Sequence, residues 1–257
     1  MEETLFLKGI SLSELPSLRS ERNAYPWCLP VVRNLHARGG LTFHAPVTFF
    51  VGENGIGKST LIEAIAVAMG FNPEGGSKNF RFSTCDSHSE LHTRLQTVRS
   101  MRRRSDGFFL RAESFYNVAS NIDALDREPA FSAPPIIDSY GGVSLHEQSH
   151  GESFLALVEN RFGGNGLYIL DEPEAALSPR GLMRLMVLIR DLVGKGSQFL
   201  ISTHSPILLT YPSAEVYELT EEAISSIPYR ETDHFLLTKR FLNDPERMFA
   251  YLFGDES

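Results

Sequence analysis

Residues 51–70 read VGENGIGKSTLIEAIAVAMG, a glycine-rich turn running directly into an apolar stretch with helical spacing. Within it Gly52, Glu53, Asn54, Gly55, Ile56, Gly57, Lys58 and Ser59 satisfy the pattern G-x-x-x-x-G-K-[ST]. The glycines let the backbone curl until successive N–H groups converge on phosphate oxygens, and the positive end of the following helix adds to that attraction. In such a turn Lys58 reaches the β- and γ-phosphates, Ser59 offers a hydroxyl to Mg²⁺, and Thr60 stands closer to the α-phosphate. A plain strand-to-helix turn would need neither the lysine nor the three glycines. The flanks agree with the motif. PVTFFVG, residues 46–52, is an unbroken apolar run of the kind buried in a parallel sheet. After the turn, Leu61, Ile62, Ala64, Ile65, Val67, Ala68 and Met69 fill a helix that closes at Gly70 and Asn72-Pro73.

Further along, residues 166–174 read GLYILDEPE, a second buried strand, here ending in adjacent acids. Beside a phosphate turn this pair suits two separate tasks: Asp171 in the Mg²⁺ shell and Glu172 polarising an attacking water. SQFLIST, residues 197–203, repeats the pattern with a polar tip, and His204 follows it. A histidine just past a buried strand can donate a hydrogen bond to a γ-phosphate and register its loss.

The remaining segments fit strands alternating with helices, hence an α/β layered fold with a mostly parallel central sheet. TLFLKGI at the N-terminus and GFFLRAE at 107–113 read as strands, and residues 74–86 as a loop or small hairpin. A polar helix is expected from about Ser89 to Arg104 and another over Asn117–Arg127, with an irregular connection through FSAPPIIDSYGG. Helices follow near Ser149, over Pro179–Val193 and after Pro206, and two strands, VYELT and AISSIPY, complete the reading. One domain over 1–257 is expected, with a small helical subdomain at about 86–160.

Composition narrows the classes. Apolar residues make up 42% and charged residues 22%, ordinary globular values, and no apolar run approaches the length of a membrane span, so no direct membrane insertion is expected. Two glutamates in MEETLFLKGI oppose a secretory signal, and two cysteines, Cys28 and Cys85, match no metal spacing; a cytoplasmic protein is expected. A net charge of −8 argues against a general nucleic-acid coat. Arg94, Arg99, Arg102, Arg103 and Arg104 nevertheless concentrate positive charge in one segment, which faces either a phosphate backbone or solvent.

His146-Glu147-Gln148-Ser149-His150 spells the H-E-x-x-H zinc-peptidase signature. That chemistry needs both histidines on one helical face, whereas Gly141-Gly142 before and Gly151 after place the segment at a helix entrance, with no third ligand marked downstream. In another frame, SHGESF from Ser149 lies before the acid-tipped strand where ABC-type ATPases carry their LSGGQ-like signature. Phosphate turn, signature, acid pair and histidine then stand in that family's order over most of the chain. The sequence resembles an ABC-type ATPase of the P-loop NTPase class. It is most similar to the small soluble ATPases grouped with RecF and SMC proteins, because DEPEAALSP replaces the transporters' DEPTSALDP.

The resemblance implies ATP and Mg²⁺ as ligands, hydrolysis of the β–γ bond, an antiparallel N-terminal β portion, and a head-to-tail homodimer. In that dimer Ser149, Gly151 and the adjoining Glu152 of one copy close over the ATP of the other. His150 stands where the family usually has glycine, and Ser178 where transporters have aspartate. No glutamine matches the family's Q-loop. Glu113 sits where that loop would begin and is either an Mg²⁺ contact or a surface acid, and Tyr25, Trp27 and a backbone contact remain alternatives for adenine. GTP is disfavoured by the lack of an N-K-x-D sequence. The expected function is an ATP-driven switch acting on DNA or on a protein partner such as a nuclease. The alternative is the nucleotide-binding subunit of an ABC transporter, and the remote one a zinc peptidase.

Overall fold

Alternation of side chains on buried strands needs apolar cover on both faces, and this chain supplies it from helices on one side and from helices plus a second small sheet on the other. The computed structural model describes residues 5–73, 75–76, 89–113, 115 and 150–254. Its main sheet has six strands in the order β5-β6-β7-β3-β8-β9: β5 (Asp106–Arg111), β6 (Gly166–Asp171), β7 (Gln198–Ser202), β3 (Val47–Gly52), β8 (Glu215–Leu219) and β9 (Ile224–Ser226). All neighbours are parallel except β8 and β9. A three-stranded antiparallel sheet, β2-β1-β4, joins β1 (Leu7–Leu12) to β2 (Leu41–Thr42) and β4 (Leu95–Arg99).

Among the described residues the α-helices are α1 (Arg19–Arg22), α2 (Pro30–Arg38), α3 (Lys58–Ala68), α4 (His150–Arg161), α5 (Pro179–Gly194), α6 (Pro206–Leu209), α7 (Asp233–Asn243) and α8 (Pro245–Phe253). Phe50, Phe109, Leu167, Ile169 and Leu200 point to one core, shared with α2, α3 and the small sheet. Their strand neighbours Phe49, Val51, Phe108, Tyr168, Leu170 and Ile201 point to the other, shared with α4, α5 and α6. Gln198, fully buried at the start of β7, clips the small sheet to the large one: its amide oxygen accepts from Phe6 and Leu7 N–H at 2.8 and 2.9 Å, and its amide donates to the Leu7 carbonyl at 2.8 Å. No helix among the described residues is long and apolar enough to cross a membrane.

The layered, mostly parallel sheet and the antiparallel N-terminal portion are as expected. The polar helix expected from Ser89 to Arg104 is not: that stretch is a short 3-10 turn, Glu90–Thr93, followed by β4. Its arginines are not a free basic face either. Arg99 and Arg104 donate to the carbonyls of Ala68 and Met69, at 2.6 and 2.5 Å, which capture the open C-terminal end of α3. Arg102 bonds Asn165 and lies over Phe6 at 4.7 Å, and Arg94 lies over Trp27 at 5.5 Å, leaving Arg103 exposed. The charge thus serves helix capping and ring stacking, which the sequence pattern cannot distinguish from a ligand-facing patch. The helix expected over 117–127, most of the 74–86 loop, Cys85 and most of the 86–160 subdomain lie outside the described residues.

Two helices beyond β9, α7 and α8, extend the fold past the last expected strand. Thr232 caps α7, its hydroxyl accepting from Phe235 N–H at 3.4 Å, and Asp244 caps α8, accepting from Arg247 N–H at 3.2 Å with Pro245 in the first turn. Both present large exposed apolar side chains, among them Leu237, Leu242, Tyr251 and Phe253.

Candidate functional site

In an open parallel sheet, ligands are taken at the carboxyl ends of the strands, where the connections leave a crevice. Strand register brings the relevant residues to one edge: Arg111 is opposite Asp171, Asp171 opposite Ser202, and Ser202 opposite Phe50, two residues before Gly52. The glycine-rich turn emerges from β3 at this edge. Gly57 caps α3 with φ +102°, and a Cβ there would stand 2.6 Å from Val31 and 3.2 Å from Leu29, so only glycine fits against α2. Ile56 is buried and its carbonyl accepts from Val31 N–H at 3.2 Å, anchoring the back of the turn. Glu53, Asn54 and Gly55 form the exposed front. Gly55, at φ +84°, has open space where a side chain would otherwise project.

Lys58 is buried, and its ammonium donates to the carbonyls of Gly52 at 2.8 Å and Glu53 at 2.9 Å. Burial lowers its pKa, while Glu172, Asp171 and Glu174 act in the opposite direction. Ser59 Oγ donates to Asp171 Oδ1 at 3.1 Å. The same oxygen accepts from Ser202 Oγ, and Arg111 Nε donates to Asp171 Oδ2 at 2.9 Å. Arg111 also reaches Glu63 Oε2 at 3.0 Å, and Glu63 accepts from Ser89 N–H at 2.9 Å, so the acid of β6 is tied to α3 through one guanidinium. Asp171 and Glu63 hold the Arg111 pKa above its ordinary value despite burial.

Glu172 leaves β6 in a left-handed conformation, φ +50° and ψ +53°, uncommon for a residue with a side chain. Its N–H donates to the Ser202 carbonyl at 3.1 Å. His204 Nε2 lies 3.4 Å from Glu172 Oε1. Burial, with the Asp171 charge beside it, raises the Glu172 pKa above its ordinary value. The His204 backbone N–H donates to Glu174 Oε1, and Glu174 is itself raised by burial. Burial foremost, with Lys58 and His234 nearby, lowers His204 to about 4, so its ring is neutral at pH 7. His204 Nδ1 and His234 Nε2 are 2.9 Å apart.

The edge therefore gathers Gly52, Lys58, Ser59, Asp171, Glu172 and His204. Thr60 Oγ1 lies 3.3 Å from the hydroxyl of Tyr25, an exposed ring at the mouth of the turn, whereas Trp27 is buried beneath Arg94. Glu113 is exposed, and among the described residues it makes no hydrogen bond or ion pair; its charge contributes to raising Glu172. Arg111, two residues earlier, is the part of β5 that reaches Asp171. Gly151 lies at the start of α4 with Ala176 O, beyond the acid pair, as its close neighbour, and Glu152 is exposed. Ser149, and with it most of the HEQSH segment, lies outside the described residues. Among the described residues no group of three or more potential ligands is placed to hold a metal.

Sequence reasoning missed Arg111, Glu63, Ser202, Glu174 and His234. Glu63 carried a signal, being a charge inside the apolar run of α3 that is nonetheless buried. His234 carried none, since thirty residues separate it from His204.

Family comparisons divide the chain in two. Residues 34–124 match a family described as "AAA domain", and residues 138–210 one described as "AAA domain, putative AbiEii toxin, Type IV TA system". Among curated proteins, the cobalt import ATP-binding protein CbiO of Salmonella typhimurium is 26% identical over 205 residues, covering 76% of this chain and 74% of that one. The cytochrome c biogenesis ATP-binding export protein CcmA of Legionella pneumophila strain Paris is 28% identical over 190 residues, covering 70% and 90%. Among solved structures, CbiO1 of Clostridium perfringens, part of the ABC transporter complex CbiONQ, aligns at 19% identity and TM-score 0.48 over 94% of this chain and 97% of that one. The SMC head domain of Thermotoga maritima aligns at 15% identity and TM-score 0.43 over 87% and 99%.

Proposed function

We propose that this chain is an ABC-type ATPase of the P-loop NTPase class, as the matched AAA-domain families and the ATP-binding relatives support, that it hydrolyses Mg²⁺-ATP at the sheet edge just described, and that it couples hydrolysis to the closing of two copies on each other. The observation that carries this reading is the meeting of Ser59 Oγ with Asp171 Oδ1 at 3.1 Å, beside a buried Lys58 and within reach of Glu172 and His204. An alcohol and a carboxylate oxygen side by side are hard oxygen donors suited to Mg²⁺. Bound there, the ion would supply charge neutralisation for the β- and γ-phosphates.

The chain's own residues account for the rest. Gly52 to Thr60 hold the phosphates by backbone N–H groups and the Lys58 ammonium, with Tyr25 standing where it can cover adenine. Glu172, with its raised pKa, takes a proton from the attacking water, and the neutral His204 donates from Nε2 to the terminal phosphate. Glu113 is assigned at most an outer role at the metal. Ser149, Gly151 and Glu152 at the start of α4 are assigned to the nucleotide of a second copy, where a helix N-terminus suits an anion.

For the output, the names of the curated relatives, import and export ATP-binding proteins, support transport: hydrolysis drives a membrane component carried on a separate chain. It is the alternative that the sequence itself offers. A soluble partner protein remains the other reading, supported by the DEPEAALSP segment and by the AAA-domain family matched over 138–210. The arginine segment lends no support to a DNA partner, because four of its five guanidinium groups are engaged within the chain.

The test is steady-state hydrolysis with and without Mg²⁺, alongside equilibrium ATP binding. Lys58→Ala should lose nucleotide binding by about a hundredfold, and Glu172→Gln should bind normally while hydrolysing at least about a hundredfold more slowly. Normal turnover in Glu172→Gln would remove the assigned base.

A further inference from the structure

His204 can donate to a terminal phosphate only if its single ring proton sits on Nε2, and a neutral imidazole chooses its tautomer by what the other nitrogen meets. Here Nε2 is buried without a hydrogen-bond partner among the described residues, 3.4 Å from Glu172 Oε1, a carboxylate oxygen that can accept and not donate. A proton on Nδ1 would leave a lone pair directed at that carboxylate. Nδ1 instead faces His234 Nε2 at 2.9 Å, with the ring centroids 5.0 Å apart. One of those two nitrogens carries the shared hydrogen. If Nε2 of His204 carries the proton that its assigned role needs, the hydrogen between the rings belongs to His234.

We propose that His234 is a positioning residue whose Nε2–H donates to Nδ1 of His204, holding the imidazole in the one tautomer that can donate to the terminal phosphate. The proposal rests on the role given to His204 above. Burial lowers both histidines, which keeps each neutral with one proton, as the arrangement requires.

The placement of His234 is built, not incidental. It lies in the first turn of α7, next to the cap residue Thr232, which is fully buried and donates its hydroxyl hydrogen to Tyr229 O at 2.7 Å. Asp233 N–H reaches Glu218 Oε1 on β8 at 3.4 Å, fixing the helix start to the strand beside β3. His234 and Leu237 also line a cavity of about 370 Å³ together with Gly52, Glu53 and Ile56 of the glycine-rich turn. The C-terminal helices thus contribute a side chain to the site, and a chain ending at β9 would leave Nδ1 of His204 without this donor.

The tautomer can be read directly in the unmodified protein by ¹⁵N–¹H long-range correlation of ¹⁵N-histidine-labelled chain, with His204→Ala and His234→Ala supplying assignments. The expected spectrum shows both rings protonated on Nε2, and a His204 ring protonated on Nδ1 would overturn the proposal without any variant having to function. Kinetics provide the second arm. His234→Ala and His234→Glu should lower kcat by about tenfold or more at unchanged KM for ATP, the usual scale for a residue that orients a working histidine. His234→Gln, whose amide N–H can occupy the place of the ring Nε2–H, should recover most of it. Equal effects of Gln and Glu, or full kcat in His234→Ala while His204→Ala is impaired, would exclude His234 alone. Full kcat in His204→Ala would instead refute the role of His204 itself.

Discussion

Asp171 is satisfied on both oxygens, by Ser59 and Ser202 on one and Arg111 on the other. A carboxylate buried to 3% exposure needs such partners, because an unpaired charge in the interior would be neutralised by protonation. The adjacent residues are less relaxed. His204 and His234 are pushed down and Glu172 and Glu174 pushed up, so folding disfavours the charged form of each relative to the unfolded chain. The signs are opposed. Between pH 6.5 and about 4 the unfolded chain binds a proton at His204 that the folded chain refuses, so stability falls as pH drops through that window. The two glutamates act the other way just above the ordinary carboxylate range, because the folded chain holds protons there that the unfolded chain has lost. Their contributions separate by difference: from pH 7 to pH 5, the native sequence should lose about 1 kcal/mol more unfolding free energy than His204→Asn, after discounting for partial exposure. Urea titrations at the two pH values measure this, and parallel losses would show that His204 is not desolvated. At this scale the sequence disclosed the residues whose spacing is itself the signal, Lys58, Ser59, Asp171 and Glu172. It concealed Arg111 and His234, whose relevance arises only when distant segments meet.

Gln198 shows how one residue joins elements that no strand pairing joins. Replacing it with leucine preserves volume and removes three hydrogen bonds, leaving Phe6 N–H, Leu7 N–H and Leu7 O buried without partners. The expected loss is about 3 kcal/mol or more, visible as a lower denaturant midpoint at unchanged slope. A loss near zero would mean the small sheet is held by its apolar face alone. Elements buried on both faces were legible for the reason Gln198 is not: β3, β6 and β7 are runs of apolar residues with a single interpretation, and α3 follows a motif that requires a helix. Residues 89–104 misled because an edge strand such as β4, half exposed and rich in polar groups, has the composition of a solvated helix. Its arginines find their partners at the end of α3, information local sequence does not hold. Thr232 and Asp244-Pro245 are cap signals for α7 and α8 that the sequence reading did not use, and both helices carry an apolar stripe although neither buries a residue among those described.

At the scale of the molecule, the two cores close both faces of the sheet, and among the described residues its carboxyl edge is left open. Glu53, Asn54 and Gly55 face outward there, so in the proposed reading the described residues supply one wall of a nucleotide site. Water excluded from a phosphate by one wall only still reaches it from the other, and electrostatic stabilisation is correspondingly weak. A second anion-binding surface is the physical requirement, and a helix start in another copy would meet it, with Gly151 small enough to bring backbone N–H groups close. Slowing hydrolysis should therefore accumulate the closed form. Glu172→Gln should run as a monomer without nucleotide and as a dimer with Mg²⁺-ATP in gel filtration with light scattering, while Lys58→Ala stays monomeric in both. A monomer under every condition would leave the site one-sided and defeat the coupling proposed above. The trapped dimer also separates the two outputs. Recovery of a membrane protein with it from detergent extracts, absent with Lys58→Ala, would establish the transport reading. A partner found only in the soluble fraction under the same nucleotide dependence would replace it.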